Sequence, residues 1–184
     1  MNVLYICGSP RRNGNTERLL AIMREVLPGE LLRVMDHRIE PCRSCWACVQ
    51  RGRCVLDDDF TGIIWPKMSA CDAFVIGCPV YFNNVPSQTK ALIDRTWAYR
   101  GELCNTIAGA VVVGRRYGAE GAIAALHAFF LKHEMIPANR GVCGEAFEAG
   151  EIEDDEEGLA AAVRLAERIR ALGTLLRAGG GVHP

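Results

Sequence analysis

Short apolar runs rich in valine, isoleucine and alanine alternate along the chain with segments whose apolar residues recur every three or four positions. Runs that are apolar on both faces belong in a parallel sheet covered by helices on both sides, and the alternation is typical of βαβ units. We predict strands at residues 3–6, 31–34, 73–77, 107–113 and 138–143. We predict helices at residues 16–26, 60–68, 87–99, 121–133 and 158–176.

Five such strands predict an α/β fold with a doubly wound parallel sheet of order 2-1-3-4-5, which binds ligands at the carboxyl ends of its strands. The 184 residues, 49% of them hydrophobic, are enough to bury the core of one domain. We expect a single domain over residues 1–178 and a frayed tail over 179–184. Residues 36–59 are polar, cysteine-rich and too long for an ordinary connection, which indicates a functional insert after the second strand.

Charge and hydropathy exclude several classes of partner. A formal net charge of -1 gives no electrostatic reason to bind nucleic acid or an anionic membrane surface. No apolar stretch approaches the roughly 18 residues needed to span a bilayer, and no basic segment precedes the first apolar run, so we expect a cytoplasmic protein. In that setting the nine cysteines are expected to be thiols, metal ligands or cluster ligands rather than disulfides.

The loop after the first predicted strand, residues 8–16, has the composition of a phosphate site. It reads Gly-Ser-Pro-Arg-Arg-Asn-Gly-Asn-Thr and leads into a helix. Small residues, hydroxyls and an arginine at a helix N-terminus can surround a phosphate with N–H donors and the positive end of the helix dipole. The loop matches neither the Walker nor the dinucleotide fingerprint. The alternative is an ordinary turn in which Asn15 or Thr16 caps the helix.

Two further loops are predicted at the same edge of the sheet. Residues 79–83 read Pro-Val-Tyr-Phe-Asn, and residues 114–121 contain three glycines, which let the backbone approach a ring closely. The two aromatic residues of the first loop have an alternative interpretation as caps on the core. In the second loop, Arg115 and Arg116 either meet an anionic substrate or the phosphates of a nicotinamide cofactor, or are solvated surface residues.

The insert contains four cysteines in the pattern C-x-x-C-x-x-C followed after five residues by a fourth. Four thiolates within thirteen residues can close around one 4Fe-4S cluster without ligands from elsewhere in the chain. A structural zinc site and free or disulfide-linked thiols are the alternatives. The predicted cluster ligands are Cys42, Cys45, Cys48 and Cys54.

Residues around the predicted cluster ligands have expected roles as well. Trp46 is expected to shield the cluster from water, and three arginines to offset its negative charge; both influence the reduction potential. The acidic run at residues 57–59 is expected to cap the next helix and to place favourable charge in its first turn. The three arginines are Arg43, Arg51 and Arg53. The remaining cysteines, expected to be buried as small hydrophobic residues, are Cys7, Cys71, Cys78, Cys104 and Cys143.

Taken together, these motifs resemble the NADPH-dependent FMN reductase superfamily, whose fold is flavodoxin-like. The resemblance is carried by the first loop with its following Leu-Leu pair, by the Pro-x-Tyr-Phe segment, and by Lys-Ala-Leu-Ile-Asp-Arg at residues 90–95. The cysteine motif resembles the iron-sulfur flavoprotein branch of that superfamily. The resemblance implies a homodimer or homotetramer with flavin sites near subunit contacts. The FMN contacts that it implies are Ser9, Arg11, Asn13, Asn15, Thr16, Pro79, Val80, Tyr81, Phe82, Asn83 and Gly114.

The resemblance also implies a function. It describes an FMN-dependent oxidoreductase or electron-transfer flavoprotein in which FMN exchanges two electrons and a 4Fe-4S cluster passes one at a time, so the cofactors carry the chemistry and no acid-base residue is predicted. Its redox partners are expected to be small molecules or proteins. One alternative is a FMN or quinone reductase that has no cluster and takes electrons from NAD(P)H. The others are a non-enzymatic flavodoxin-like carrier and a zinc-stabilised interaction module.

Overall fold

A computed structural model describes residues 1–179, so residues 180–184 of the predicted tail lie outside the described residues. The strands are β1 (Val3–Cys7), β2 (Glu30–Arg33), β3 (Ala73–Pro79), β4 (Ile107–Gly114), β5 (Ile136–Pro137) and β6 (Val142–Glu145). The helices are α1 (Asn15–Val26), α2 (Ala47–Arg51), α3 (Trp65–Ser69), α4 (Ser87–Arg95), α5 (Ala119–Lys132) and α6 (Glu156–Ala178).

The sheet is parallel and its strand order confirms the predicted doubly wound topology. β1 lies between β2 and β3, and β4 pairs with β3 on the other side. The fifth position is divided, since β5 and β6 both pair with β4. Between them Gly141 adopts φ +103°, and its N–H donates to Asn139 Oδ1 at 2.8 Å. The fifth strand predicted near residues 138–143 is therefore displaced: β6 shares Val142 and Cys143 with it, and the turn at Gly141 separates β6 from β5.

Alternate residues of each strand face two separate hydrophobic cores. In β1, Leu4 and Ile6 pack in the core beneath α3, α4 and α5, while Val3 and Tyr5 pack in the core beneath α1 and α6. This alternation follows from the two-residue repeat of a strand, and it covers the sheet with helices on both faces. Within residues 1–179, no helix has the length and apolarity needed to cross a membrane.

Two predicted helices change their geometry before they end. The helix predicted at residues 60–68 is a π-helical turn, Phe60–Ile64, followed by α3. Pro66 lies at the junction and has no N–H to donate to the residue four positions earlier, which favours a local change of hydrogen bonding. The helix predicted at residues 87–99 is α-helical only through α4 and continues as a 3₁₀ turn, Thr96–Tyr99.

Three of the five remaining cysteines are buried as predicted. Cys7, Cys71 and Cys78 lie in the cores, and burial raises the pKa of both Cys71 and Cys78 to about 12. The prediction is wrong for Cys143, which is exposed because alternate residues of β6 face outward. It is also wrong for Cys104, which is half-buried in the turn before β4.

A buried ion pair fastens the insert to the helices. Asp58 of the insert and Arg95 at the end of α4 are both fully buried, at 0% side-chain exposure. The pair is bidentate, with Arg95 Nη1 to Asp58 Oδ2 at 2.5 Å and Nη2 to Oδ1 at 3.0 Å. Nη1 also donates to the Glu40 carbonyl at 2.8 Å, and the Glu40 N–H donates to Asp58 Oδ2 at 2.8 Å. Residues near both ends of the insert therefore meet at one guanidinium.

Asp58 also contributes to capping, which was the expected role of its acidic run. Its Oδ1 accepts the Thr61 N–H at 3.4 Å, but the ion pair with Arg95 is the shorter and more buried contact. Burial alone would raise the pKa of Asp58. The hydrogen bonds from Arg95 and from the Glu40 N–H, with the charge of Arg95, outweigh burial and lower that pKa below its usual value.

Removing one partner of this pair should destabilise the fold strongly. We expect Asp58→Ala to lower the free energy of unfolding by about 3 kcal/mol or more, because it leaves the Arg95 charge buried and unpaired. Urea denaturation measures this. The matched control is Asp94→Ala, which breaks the exposed ion pair between Lys90 and Asp94 on the same helix and should cost at most about 0.5 kcal/mol. Equal losses in the two variants would contradict the assignment.

The lowered pKa of Asp58 also predicts a pH dependence. A carboxyl whose folded pKa is depressed stabilises the fold above its unfolded pKa of about 3.9, and this contribution is lost as the pH falls through the folded pKa. The difference in unfolding free energy between the wild type and Asp58→Asn should be level from about pH 7 to 5 and shrink in more acidic solution. Urea titrations at stepped pH measure it, and a constant difference down to acid unfolding would refute the prediction.

Candidate functional site: a strand-end cradle and a cysteine cavity

The loops that follow β1, β3, β4 and β6 meet at the carboxyl edge of the sheet. Backbone hydrogen bonds join neighbouring loops: the Val80 N–H donates to the Val113 carbonyl at 2.8 Å, and the Ala146 N–H donates to the Gly114 carbonyl at 3.0 Å. In a doubly wound sheet this edge is where ligands bind. The three predicted flavin loops are therefore brought together, and a fourth loop, residues 146–150, joins them.

The first loop ends at a helix N-terminus that has no side-chain cap among the described residues. α1 begins at Asn15 after Gly14, which is the N-cap residue. The interpretation of Asn15 or Thr16 as a cap is therefore wrong. The first-turn N–H groups of such a helix have no partner within the helix and are free to bind an anion. Ser9 and Thr16 are buried beside this terminus, and Asn13 is exposed with a left-handed φ of 54°.

Arg11 and Asn15 of the first loop hold the fourth loop. Arg11 Nη1 donates to the Phe147 carbonyl at 3.1 Å. The Asn15 amide donates to the Glu148 carbonyl at 2.7 Å and accepts the Gly150 N–H at 2.9 Å. Sequence reasoning missed this loop. Its position after the fifth strand of a doubly wound sheet was the signal that could have located it, because every strand ends at the same edge.

The second loop is a tight turn that exposes two aromatic rings. Tyr81 and Asn84 exchange backbone hydrogen bonds of 2.9 and 3.0 Å, and the residues between them, Phe82 and Asn83, have φ of 49° and 58°. Two left-handed central residues define a type I′ turn, a strained conformation for phenylalanine. Tyr81 is 47% and Phe82 106% exposed, so their interpretation as core caps is wrong. Such strain clusters at functional sites.

The third loop packs against this turn through glycines. A Cβ on Gly118 or Gly121 would collide with Asn83, and a Cβ on Gly114 would lie 3.1 Å from Val80 Cγ2. Only residues without side chains allow the two loops to approach this closely. The buried Gly114 is thus placed next to the second loop, as expected of a residue lining one cradle.

The two arginines of the third loop are exposed and contact their neighbours. The Arg115 guanidinium carbon lies 4.5 Å from the centre of the Phe147 ring, and Arg116 Nε lies 3.7 Å from Glu145 Oε1. Both are surface residues in the described structure, which agrees with the solvated alternative. Arg115 nevertheless borders the cradle through the fourth loop.

A separate cavity of about 560 Å³ lies between the insert and helices α4 and α5, and all four predicted cluster ligands line it. Left-handed backbone at Ser44, Trp46 and Gly52, with φ of 51°, 59° and 68°, curls the insert around the cavity. The short helix α2 lies within this curl and was not predicted. Of the ligands, Cys42 and Cys45 are exposed, while Cys48 and Cys54 are half-buried.

Only some of the residues expected to surround a cluster line the cavity. Trp46 lines the cavity and packs edge-on against Trp97, with ring centres 6.3 Å apart, although Trp46 is itself 60% exposed. Arg43 also lines the cavity, whereas Arg51 and Arg53 lie on the exposed outer side of the insert. Of these four residues, Trp46 and Arg43 therefore line the cavity, and Arg51 and Arg53 do not.

The four thiols share a cavity without being drawn together around a point. Across residues 1–179, no group of three or more cysteine, histidine or acidic side chains is close enough to hold a metal ion. All nine cysteines, which lie within those residues, are free thiols. Four thiolates are the soft donor set that suits an iron-sulfur cluster or zinc. The donor set and the shared cavity fit such a group.

Two relatives align with most of this chain. An iron-sulfur flavoprotein of Methanocaldococcus jannaschii is 36% identical over 96% of this chain and 100% of its own length. An iron-sulfur flavoprotein of Methanosarcina thermophila is 34% identical over 74% of this chain and 76% of its own length. The sequence similarity to both relatives therefore extends over most of this chain.

The fold is shared with solved flavin enzymes. The structure of an NAD(P)H:quinone oxidoreductase from Methanothermobacter marburgensis matches with a TM-score of 0.72 over 92% of this chain and 96% of its own, and at 15% identity the likeness concerns the fold alone. The model of the NADPH-dependent FMN reductase family matches residues 1–148, which include the first three loops of the cradle and the whole cysteine-rich insert. The chain belongs to the NADPH-dependent FMN reductase family and is an FMN-binding, flavin-dependent oxidoreductase.

Proposed function

We propose that this flavoprotein relays electrons between FMN and a 4Fe-4S cluster. The observation that carries the proposal is that all four thiols of the cysteine motif line one cavity. Two relatives that align over most of the chain are named iron-sulfur flavoproteins. When bound, FMN exchanges two electrons and the cluster exchanges single electrons. The proposed cluster ligands are Cys42, Cys45, Cys48 and Cys54.

The proposal assigns the strand-end cradle to FMN. The uncapped N-terminus of α1 offers N–H groups and the positive end of a dipole to the phosphate. Arg11 is exposed and carries five N–H donors, of which one is used on Phe147. The proposed phosphate contacts are Ser9, Arg11, Asn13, Asn15 and Thr16. The proposed contacts to the ring side are Pro79, Val80, Tyr81, Phe82, Asn83 and Gly114.

Helix α4 connects the two proposed cofactor sites. It begins directly after the second loop of the cradle, and its C-terminal half forms part of the cavity wall. Nine helical residues span about 14 Å at 1.5 Å per residue. Both sites are thus attached to one short rigid element, which supports a relay within a single chain.

The exposed aromatic rings at the cradle bear on the assembly of the protein. Tyr81, Phe82, Tyr117 and Phe147 are 47%, 106%, 76% and 49% exposed at one edge of the molecule. Clustered exposed aromatics are typical of surfaces that another subunit or a ring-shaped ligand covers. The homodimer or homotetramer stays a prediction, and so does location in the cytoplasm.

A second candidate is a FMN or quinone reductase that uses NAD(P)H and has no cluster. It is favoured by the separation of the four thiols, two of which are exposed. Iron, zinc and acid-labile sulfide assays on anaerobically purified protein separate the candidates. About four iron and four sulfide per chain, with a broad absorbance shoulder near 400 nm, are expected for the relay. Flavin without iron supports the reductase, and zinc without iron supports a structural metal site.

Loss of one ligand should remove the cluster and leave the flavin. We expect Cys45→Ser to lose most of the iron, sulfide and absorbance shoulder, because a serine hydroxyl is a poor substitute for thiolate on iron. FMN content should be unchanged, since Cys45 is outside the cradle. Cys143→Ser is the control, since Cys143 is an exposed cysteine on β6. Full iron content in Cys45→Ser would contradict the ligand assignment.

Arg11 should provide the main charged contact to the FMN phosphate. We expect Arg11→Ala to weaken FMN binding by about 2 kcal/mol, the typical value of a charged hydrogen bond, which is roughly a thirtyfold rise in Kd. Titration of the apoprotein followed by flavin fluorescence measures it. Arg12→Ala removes the same charge from the same loop, where Arg12 pairs with Asp36 on the surface, and should have little effect. Unchanged affinity in Arg11→Ala would refute the contact.

A further inference from the structure

The guanidinium of Arg95 borders the cysteine cavity as well as Asp58. Arg95 belongs to the cavity wall, although its side chain is fully buried from solvent. Its two terminal nitrogens donate to Asp58, and they also donate to the carbonyls of Glu40 and Leu56, at 2.8 and 3.4 Å. Its Nε is buried and has no hydrogen-bond partner among the described residues. Buried donors in native proteins nearly always have an acceptor, so this one requires an explanation.

Cys54 lines the same cavity as Arg95, and its sulfur is an acceptor of the kind that this donor lacks. Burial alone would lower the pKa of Arg95, but its interactions with Asp58 and with the Cys54 side chain raise it. Tyr99 is a further neighbour of Cys54, since burial chiefly raises the pKa of Tyr99 and the Cys54 backbone lowers it in part. Cys54 therefore lies next to both Arg95 and Tyr99.

We propose that Arg95 is a positioning residue for the cluster. When the cluster is bound, the Arg95 Nε donates a hydrogen bond to the Cys54 sulfur and thereby stabilises the reduced state. The inference rests on the proposed function. Hydrogen bonds to ligand sulfurs and nearby positive charge favour the more negative state and raise the reduction potential. Asp58 holds the two terminal nitrogens of the guanidinium and leaves Nε as its unused donor.

Other cations on the same cavity lack this combination of burial and contact. Lys90 is half-exposed and pairs with Asp94 at the surface. The guanidinium carbon of Arg100 lies 4.0 Å from the centre of the Trp97 ring, and Arg100 is exposed. Water and salt screen the charges of exposed groups, whereas the hydrogen bond of a buried donor is strengthened by its low-dielectric surroundings. Arg95 thus differs from Lys90 and Arg100 in being buried at the cavity wall.

The test compares Arg95→Gln with Lys90→Gln, a loss of the same charge from the same helix. Both variants are reconstituted with cluster and titrated anaerobically, with cluster reduction followed by electron paramagnetic resonance. Arg95→Gln should lower the equilibrium constant for one-electron reduction at least tenfold, which is about 59 mV. Lys90→Gln should change it less than twofold. An unchanged potential in Arg95→Gln, or equal shifts in both variants, would overturn the inference.

Two further variants separate this role from a purely structural one. Arg95→Lys keeps the charge but lacks the Nε donor, so its potential should lie between those of the wild type and Arg95→Gln. The double variant Arg95→Gln with Asp58→Asn avoids an unpaired buried carboxylate, and it should be more stable than Arg95→Gln while retaining its low potential. A folded double variant with the wild-type potential overturns the inference about Arg95 but leaves the proposed function standing. Wild-type protein without iron and sulfide overturns the proposed function, and the inference with it.

Discussion

The buried ion pair between Asp58 and Arg95 joins the part of the chain that carries the cysteines to the helix that leads from the strand-end cradle. Taking two charges out of water is costly, and the cost is offset only when geometry and additional hydrogen bonds are good. Here the pair is bidentate, and the backbone of Glu40 bonds to both partners. The position of the insert, and with it the walls of the cysteine cavity, depends on this arrangement.

The cradle depends on a different constraint, the close contact of four loops at one edge. The strained turn at Phe82 and Asn83 is accommodated because glycines in the next loop leave room for it. Asn15 closes the other side by bonding to the fourth loop as both donor and acceptor. Each loop therefore supports its neighbour, which is how a parallel sheet can present a preformed site from segments distant in sequence.

Sequence patterns predicted the features that arise from short-range repeats. Strand order, helix positions and the composition of the first loop follow from periodicity and local chemistry. The prediction was less accurate where tertiary contacts decide. The acidic run was assigned to helix capping because a cap is local, whereas the main partner of Asp58 is Arg95, thirty-seven positions away. The fifth strand was predicted across Gly141 although Asn139 and Gly141 are typical turn residues, because the apolar residues on either side favoured a strand.

By itself the sequence determined the strand and helix segments of the α/β alternation, the phosphate-type loop and the presence of four closely spaced thiols, since each depends on residues within one segment. Only the tertiary structure decided that those thiols line a single cavity and that α1 is left without a side-chain cap within the described residues. It also decided that the exposed aromatics gather at the cradle. The physical reason is that burial, pairing and convergence are properties of packed segments, and packing brings together residues that no local pattern relates.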